Sequence, residues 1–211
     1  MSTEHSTHAK DDAEDVRRGF IRTLLMDVSA AQERIAGENS EQHRRETVRT
    51  VFAALEGVSW VFREHVRTAL EDFEALTPLE DAALREESYT VSSTGVIRTQ
   101  LRYLPLSTSL RLAVRSLQKI APEYTPDFTE AGWTLLLAAV ETRNRLMHPK
   151  VSDDLDVTPR DVRTALMGFF WFLAQVIDGM DAANRALASF SAAAREFIDE
   201  VRSDPDRAGN E

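Results

Sequence analysis

The sequence contains no cysteine, so disulfide bridges, thiolate nucleophiles and cysteine-based zinc sites are excluded for these 211 residues. Glycine and proline are also scarce, at 8 and 7 residues, and long stretches contain neither. Because these two residues mark the turns of β-rich folds, their scarcity favours helices. The sequence therefore predicts an all-α fold, in the form of a helical bundle.

Positive charge is in short supply as well. The 25 lysines and arginines are outnumbered by 35 acidic residues, which gives a formal net charge of −10. A protein that binds DNA without sequence preference needs a broad basic surface, so no DNA partner is expected. A small basic cleft that touches a few phosphates is still compatible with this composition.

The chain also lacks a long hydrophobic run. Its most apolar segment, residues 165–177, is shorter than the about 20 residues that cross a bilayer, and it contains Gln175. Residues 1–15 are polar and acidic and lack the apolar centre of a secretory signal. We expect a cytoplasmic protein without membrane contact.

Apolar residues recur at helical spacing through the first third of the chain. After a disordered start over residues 1–10, they predict a long N-terminal pair of helices over residues 11–35 and 40–76, with Thr77-Pro78 ending the second. The apolar stripe of the second helix fits either core packing or an intermolecular coiled coil, and core packing is favoured. The stripe consists of Val48, Val51, Phe52, Leu55, Val58, Phe62, Val66, Leu70 and Phe73.

The middle of the chain is the least regular part. Residues 78–87 predict a short helix, residues 89–104 an irregular loop with or without a short hairpin, and residues 107–120 a further helix. This region also holds the main basic concentration of an acidic chain, which is either a solvated helix face or a phosphate-binding flank to the site described below. Its members are Arg98, Arg102, Arg111, Arg115 and Lys119.

Two more helices complete the expected architecture. One covers residues 128–147, with Asp127 or Thr129 as its cap and Pro149 after its end. The other starts at residues 158–161, where a hydroxyl N-cap precedes a proline and an acid follows at the third helical position.

This last helix extends to about residue 201, with or without a break near Gly179, before a frayed tail over residues 203–211. The expected domain organisation is a set of N-terminal helices over residues 11–88, packed on a helical core over residues 89–202.

The helix over residues 128–147 carries the chemically distinctive residues. At about 100° per residue, one face of it is apolar and meets Asn144 in the last turn. His148 lies four positions after Asn144, so the two side chains are neighbours. Since an unpaired buried polar group costs about 1–3 kcal/mol, a polar pocket against another element or subunit is predicted there. The apolar face consists of Trp133, Leu136, Leu137, Val140 and Met147.

Four charged residues flank this cluster. Glu141 lies seven positions before His148, on the same side, and is a candidate to orient the imidazole. Arg143 flanks the opposite edge, and Arg145 and Lys150 are candidates for phosphate contacts. A plainer interpretation is that the basic residues complement the helix dipole while Asn and His satisfy the last carbonyl groups.

Arg143-Asn144-x-x-x-His148, followed directly by Pro149, resembles the HEPN superfamily. The hallmark of that superfamily is an arginine, a polar residue that is commonly asparagine, and a histidine about four to six positions after the arginine. The apolar run over residues 133–140 and the capped helix opened by residues 156–158 fit this pattern. The resemblance covers about residues 89–201, and the two N-terminal helices belong either to the same bundle or to an extension of it.

The resemblance implies a dimer whose motif helices face each other, and many members are metal-independent ribonucleases. Carried onto this chain, His148 is the general acid or base for the ribose 2′-hydroxyl. Arg143 holds the scissile phosphate and stabilises charge in the transition state, and Asn144 orients the phosphate or the histidine. Attack by the 2′-hydroxyl leaves a cyclic phosphate, so DNA is not a substrate. No metal and no other cofactor is implied.

One departure from a known variant of the motif is clear. Some HEPN toxins with a nucleotidyltransferase antitoxin carry a tyrosine two residues after the histidine, where this chain has Lys150, so adenylylation is not expected. The leading prediction is a homodimeric RNA endonuclease in a defence or toxin-like role. The alternatives are a non-catalytic dimerisation or nucleotide-binding module and a plain bundle in which the three residues only cap a helix.

Overall fold

The computed structural model describes residues 3–203. Within that range the chain forms six α-helices, a 3-10 helix (Ser152–Leu155) and one antiparallel pair of strands, β1 (Glu87–Val91) and β2 (Ile97–Leu101). The predicted all-α helical-bundle class is confirmed. The helices are α1 (Thr3–Gly37), α2 (Glu41–Asp72), α3 (Pro78–Leu84), α4 (Leu106–Leu117), α5 (Ala131–Met147) and α6 (Pro159–Ser203).

Helix α1 begins at Thr3, whereas the sequence pattern placed its start at residue 11 and a disordered segment before it. Residues 3–10 contain neither proline nor glycine, so nothing in them stops a helix from extending beyond its apolar stripe. The helix ends at Gly37, two residues beyond the predicted end at residue 35. Residues 1–2 of the predicted disordered start, and residues 204–211 of the predicted tail, lie outside the described residues.

Helix α2 ends at Asp72, earlier than the predicted residue 76. Beyond it Glu74 has a positive φ of 54°, and its N–H donates to the Glu71 carbonyl at 3.0 Å. The Ala75 N–H donates to the Leu70 carbonyl at 2.9 Å. These two bonds form the Schellman motif that closes many helices. Because glutamate stands where glycine is usual, the sequence carries no signal for this stop.

Thr77, expected to end the second helix, instead caps the start of α3. Its hydroxyl accepts from the Glu80 N–H at 3.3 Å, and the Glu80 carboxylate accepts from the Thr77 N–H at 3.0 Å. This reciprocal pair is a capping box, and Pro78 occupies the first turn as the missing N–H allows.

Residues 87–101 form a β-hairpin, so the hairpin alternative for this region is confirmed. Glu87 pairs with Leu101 and Val91 with Ile97. Gly95 sits in the turn with φ at 79°, a conformation that a residue without a Cβ adopts at low cost.

The apolar stripe of α2 is buried within the chain except for Phe73, which is half-buried, and this confirms core packing. Val48, Leu55 and Val58 are fully buried. Helix α6 is continuous through Gly179, and its inward side includes Phe169 and Phe172.

Helix α6 starts as predicted. The Thr158 N–H donates to the Asp161 carboxylate at 2.9 Å, and the Asp161 N–H donates to the Thr158 hydroxyl at 3.2 Å. Pro159 is the first helical residue. All three features follow from side chains within one turn, which is why the sequence is sufficient to predict them.

The chain separates into two compact units, each built from two segments. One unit extends to Phe62 and includes Pro126–Val176, and the other combines Arg63–Thr125 with the chain from Ile177 onward. Helices α2 and α6 therefore each contribute residues to both units. This division differs from the expected one into residues 11–88 and 89–202.

Among the described residues, one stretch of α6, Pro159–Glu200, is long and apolar enough to cross a membrane. The core helix of a soluble protein meets the same criterion of length and composition.

Candidate functional site at the end of helix α5

Helix α5 approaches the first part of α6 closely because glycines lie at the contact. A Cβ added at Gly168 of α6 would lie 2.8 Å from the Cα and N atoms of Leu136. A Cβ added at Gly132 of α5 would lie 2.2 Å from the indole ring of Trp171. Real Cβ contacts essentially never fall below 3.0 Å, and backbone atoms cannot move aside as a flexible side chain can. The packing seen here therefore requires glycine at position 168.

This packing determines which side of α5 faces inward, and the result corrects the predicted face. Trp133 and Leu136 are buried as expected, but Leu137 is 38% and Met147 48% exposed. The buried residues of the helix are Trp133, Leu136, Ala139, Thr142 and Leu146. The inward stripe therefore includes Leu136, against whose backbone Gly168 of α6 packs.

Asn144 is exposed, so the predicted polar pocket is not formed against another element of the described chain, and a pocket against another subunit stays a prediction. Instead, Leu137, Glu141, Asn144 and His148 follow one another at helical spacing along the outward side. The predicted neighbourhood of Asn144 and His148 on one face is consistent with this arrangement, but that face is open to solvent.

His148 caps the end of the helix. Its backbone N–H donates to the Asn144 carbonyl at 3.1 Å, and its φ and ψ of −132° and 55° leave the helical region. Pro149 follows, so the chain cannot continue as a helix there. The imidazole is exposed and forms no hydrogen bond with any group in residues 3–203.

Arg143 lies at the edge of the outward side and is fixed by two partners. Its Nη2 donates to the Glu56 carboxylate on α2 at 2.5 Å, and its Nη1 donates to the Asn144 Oδ1 at 3.2 Å. The side chain is 27% exposed. The structure thus brings Arg143 and Asn144 into direct contact. It adds Glu56, for which the sequence offers no signal because the residue lies on a different helix.

Arg145, a predicted phosphate ligand, serves the loop that follows α5. Its Nη1 donates to the carbonyl oxygens of Asp153, Asp154 and Asp156 at 3.0, 3.1 and 2.7 Å. These bonds satisfy backbone acceptors around the 3-10 helix and engage one end of the guanidinium. Arg145 therefore stabilises the loop that connects α5 to α6.

Two arginines of α2 hold the same loop. Arg44 Nε donates to the Val157 carbonyl at 2.5 Å, and Arg45 Nη1 donates to the Leu155 carbonyl at 3.4 Å. Neither was predicted, because their partners are backbone groups more than a hundred positions away in the chain.

The turn after Pro149 is closed by Asp154. Its carboxylate accepts from the Lys150 N–H at 2.7 Å and the Val151 N–H at 3.1 Å, and these bonds lower the pKa of Asp154. The Lys150 residue is exposed, so its amine is available to a ligand.

Glu141 shares the outward stripe with His148, but the structure shows no hydrogen bond between them in the described part of the chain. The predicted supporting role of Glu141 is therefore not a contact within one molecule. The residues that the structure does join are Arg143, Asn144 and Glu56.

Together these residues form an open surface site. It offers a fixed guanidinium, an amide beside it and an exposed imidazole at a helix end. This set can bind an anion and move a proton, but the site of a single chain is exposed to water.

The fold and this site define an all-α protein with an Arg-Asn-His cluster at the end of a core helix. No protein-family model, curated protein or solved structure matches the chain.

Proposed function

We propose that this chain is a HEPN-like, metal-independent RNA endonuclease that acts as a homodimer in a defence or toxin-like role. The observation that carries the proposal is the arrangement at the end of α5. Asn144 and His148 share an exposed stripe, and Arg143 is held beside Asn144 by Glu56. The expected location is the cytoplasm.

The chemistry assigned to these residues is transesterification by the neighbouring ribose hydroxyl. His148 accepts the 2′-hydroxyl proton while the 2′-oxygen attacks the phosphorus. Arg143 and the Asn144 amide bind the phosphate oxygens, where negative charge accumulates in the transition state. The bond to the 5′-oxygen breaks as this oxygen takes a proton from water, and the products carry a 2′,3′-cyclic phosphate and a 5′-hydroxyl.

Exposed apolar side chains in the same unit as the cluster support the proposed dimer. Leu137 and Met147 expose 38% and 48% of their surfaces on the same helix, and Met167 and Phe170 of α6 are about half exposed in the same unit. Exposed apolar side chains of this kind are typical of association surfaces. A second copy packed on the outward side of α5 would cover Leu137 and Met147 and exclude water from two Arg-Asn-His clusters at once.

The test is a cleavage assay on mixed single-stranded RNAs in EDTA. We expect the wild type to produce cyclic phosphate ends and His148→Ala to be inactive, with the dimer intact by light scattering. His43→Ala is the matched control, because it removes a histidine of α2 whose ring bonds the nearby Glu38 carbonyl. Cleavage by His148→Ala at the wild-type rate would refute the assigned chemistry.

A non-catalytic dimerisation or nucleotide-binding module is the second candidate, favoured by the exposed apolar side chains of Leu137 and Met147 on the helix that carries the cluster. It predicts a folded dimer that cleaves no RNA and that weakens in Arg143→Ala or Asn144→Ala. A monomer at working concentration, with little response to either change, would instead favour a plain helix cap and contradict both dimeric functions.

A further inference from the structure

A second cationic surface lies in the other unit. Residues 88–122 contain five basic residues and no acidic residue, in a chain whose net charge is −10. One of the five, Lys119, is engaged by the Glu80 carboxylate at 2.8 Å. Arg98 and Arg102, by contrast, are exposed on and next to β2. The β-hairpin and its flank therefore present the positive charge of this segment to solvent.

The hairpin has two different faces. Successive residues of a strand point to opposite sides, and the register pairs Thr90 with Arg98 on one side and Tyr89 with Thr99 on the other. The Arg102 N–H still donates to the Glu86 carbonyl at 2.7 Å, which extends the alternation by one residue. The side opposite the arginines is exposed over most of its length and mostly apolar, with Tyr89, Val91, Ile97 and Leu101 beside the polar Glu87 and Thr99, and Tyr103 follows at 78% exposure.

The root of this hairpin is firmly anchored. The Glu86 carboxylate bonds Arg63 Nη2 of α2 at 3.2 Å and accepts from the Leu104 N–H at 2.9 Å. Arg63 is only 6% exposed and also donates to the Leu84 carbonyl at 3.1 Å. The exposed tyrosines and arginines thus extend from a root tied to buried groups.

We propose that the hairpin binds single-stranded RNA along the edge of β2. In the described chain this strand has no second neighbour, so the exposed side chains of Arg98, Arg102 and Tyr103 lie on or next to a strand with one open edge. Arg98 and Arg102 contact phosphates, and Tyr89 and Tyr103 stack on bases.

Single-stranded RNA suits this surface better than an acidic protein segment does. Exposed tyrosines offer flat faces to bases of any sequence, while arginines bind the regularly spaced phosphates between them. The rest of the acidic chain repels a polyanion, so binding is confined to this local patch. The inference rests on the proposed function for the choice of RNA as the nucleic acid.

The experiment measures binding of a fluorescein-labelled oligouridylate by anisotropy, with the full chain carrying His148→Ala to prevent cleavage. Arg98→Ala/Arg102→Ala should weaken binding at least about tenfold at low salt. It should also reduce the slope of log affinity against log salt by about 1.4, at roughly 0.7 per phosphate contact on a single strand. Arg22→Ala/Arg49→Ala, which removes the same charge from exposed sites on α1 and α2, should leave both quantities close to the parent values.

Substitutions at Tyr103 test the stacking contact independently of the arginines. Tyr103→Ala should weaken binding about tenfold, and Tyr103→Phe should retain it, because stacking needs the ring and not the hydroxyl. Circular dichroism melting of each variant checks that the hairpin changes leave the fold intact. Equal binding by Tyr103→Ala and Tyr103→Phe would overturn the stacking contact.

Failure of the inference differs from failure of the proposed function. Hairpin-dependent binding without cleavage by the wild type supports the RNA surface and refutes the nuclease. If the wild type cleaves RNA and the hairpin variants bind and cleave it equally well, the nuclease is supported and the RNA-binding hairpin is refuted. Absence of oligouridylate binding would overturn the RNA assignment. So would binding of a polyglutamate peptide in its place, if Arg98→Ala/Arg102→Ala abolishes that binding.

Discussion

The Arg143 guanidinium lies 2.5 Å from the carboxylate of Glu56, which joins the end of α5 to α2 at the edge of the Arg-Asn-His cluster. The Nη1 atom of the same guanidinium donates a hydrogen bond to the Asn144 Oδ1. A flexible arginine is thereby held in one orientation before any ligand arrives, and such preorganisation is what charge stabilisation at a reacting phosphate requires.

Glu56 is therefore predicted to position Arg143 for cleavage. Glu56→Ala should lower kcat about tenfold, whereas Glu56→Gln, which keeps a hydrogen-bond acceptor, should stay near the wild-type value. Thermal stability should change by less than about 1 kcal/mol in both, because Glu56 is 55% exposed and such pairs contribute little. Parallel cleavage and melting measurements check this. Equal loss of activity in the two variants would contradict a positioning role.

Two Gly→Ala substitutions, one at the contact between α5 and α6 and one at an open position of α1, should have opposite effects on stability. Gly168→Ala should destabilise the fold by about 2–3 kcal/mol, because the new Cβ would lie 2.8 Å from Leu136 backbone atoms. Gly19→Ala in α1 should stabilise it by about 0.5–1 kcal/mol, since nothing lies within 4 Å and alanine favours helix. Urea denaturation of both variants measures the difference. A neutral Gly168→Ala would show that the helices separate easily.

The end of α2 predicts a stabilising change. Glu74 has a φ of 54°, which costs a residue with a Cβ about 1 kcal/mol. Glu74→Gly should therefore raise the free energy of unfolding by about 0.5–1 kcal/mol, and Glu74→Ala should not. The unfolding midpoint in urea distinguishes them, and a gain in both variants would point to the lost charge and not to the backbone.

Acid should weaken the α3 region through Glu80. A hydrogen bond from the Lys119 amine, followed by bonds from Thr77, lowers the pKa of Glu80 from 4.5 to about 2. A lowered folded-state pKa stabilises the fold above pH 4.5, and this contribution is lost as the pH falls from 4.5 towards 2. Because the pair is partly exposed, about 1 kcal/mol is expected. Melting temperatures measured across that range should fall less in Glu80→Gln than in the wild type.

Several parts of this protein were accessible from the sequence because local interactions decide them. The start of α6 depends on Thr158, Pro159 and Asp161 within one turn. The end of α5 depends on Pro149. The buried stripe of α2 follows from a regular apolar period.

Other parts depend on partners far along the chain. Glu56 meets Arg143, and Arg44 meets the Val157 carbonyl, across separations that no local pattern encodes. The stop of α2 at Glu74 was missed for another reason, because the backbone there adopts a glycine-like conformation without a glycine.

Helix α5 shows which of its features the sequence determines and which the tertiary structure determines. The sequence by itself determined that a helix ends at His148 with Arg143 and Asn144 in its last turn, because helix formation and termination are local. It did not determine which side is buried, because three consecutive leucines, residues 135–137, make the apolar arc too broad for periodicity to choose. The tertiary structure decided this through Gly168, whose missing side chain lets α6 approach the backbone of Leu136 and turns Asn144 and His148 towards solvent.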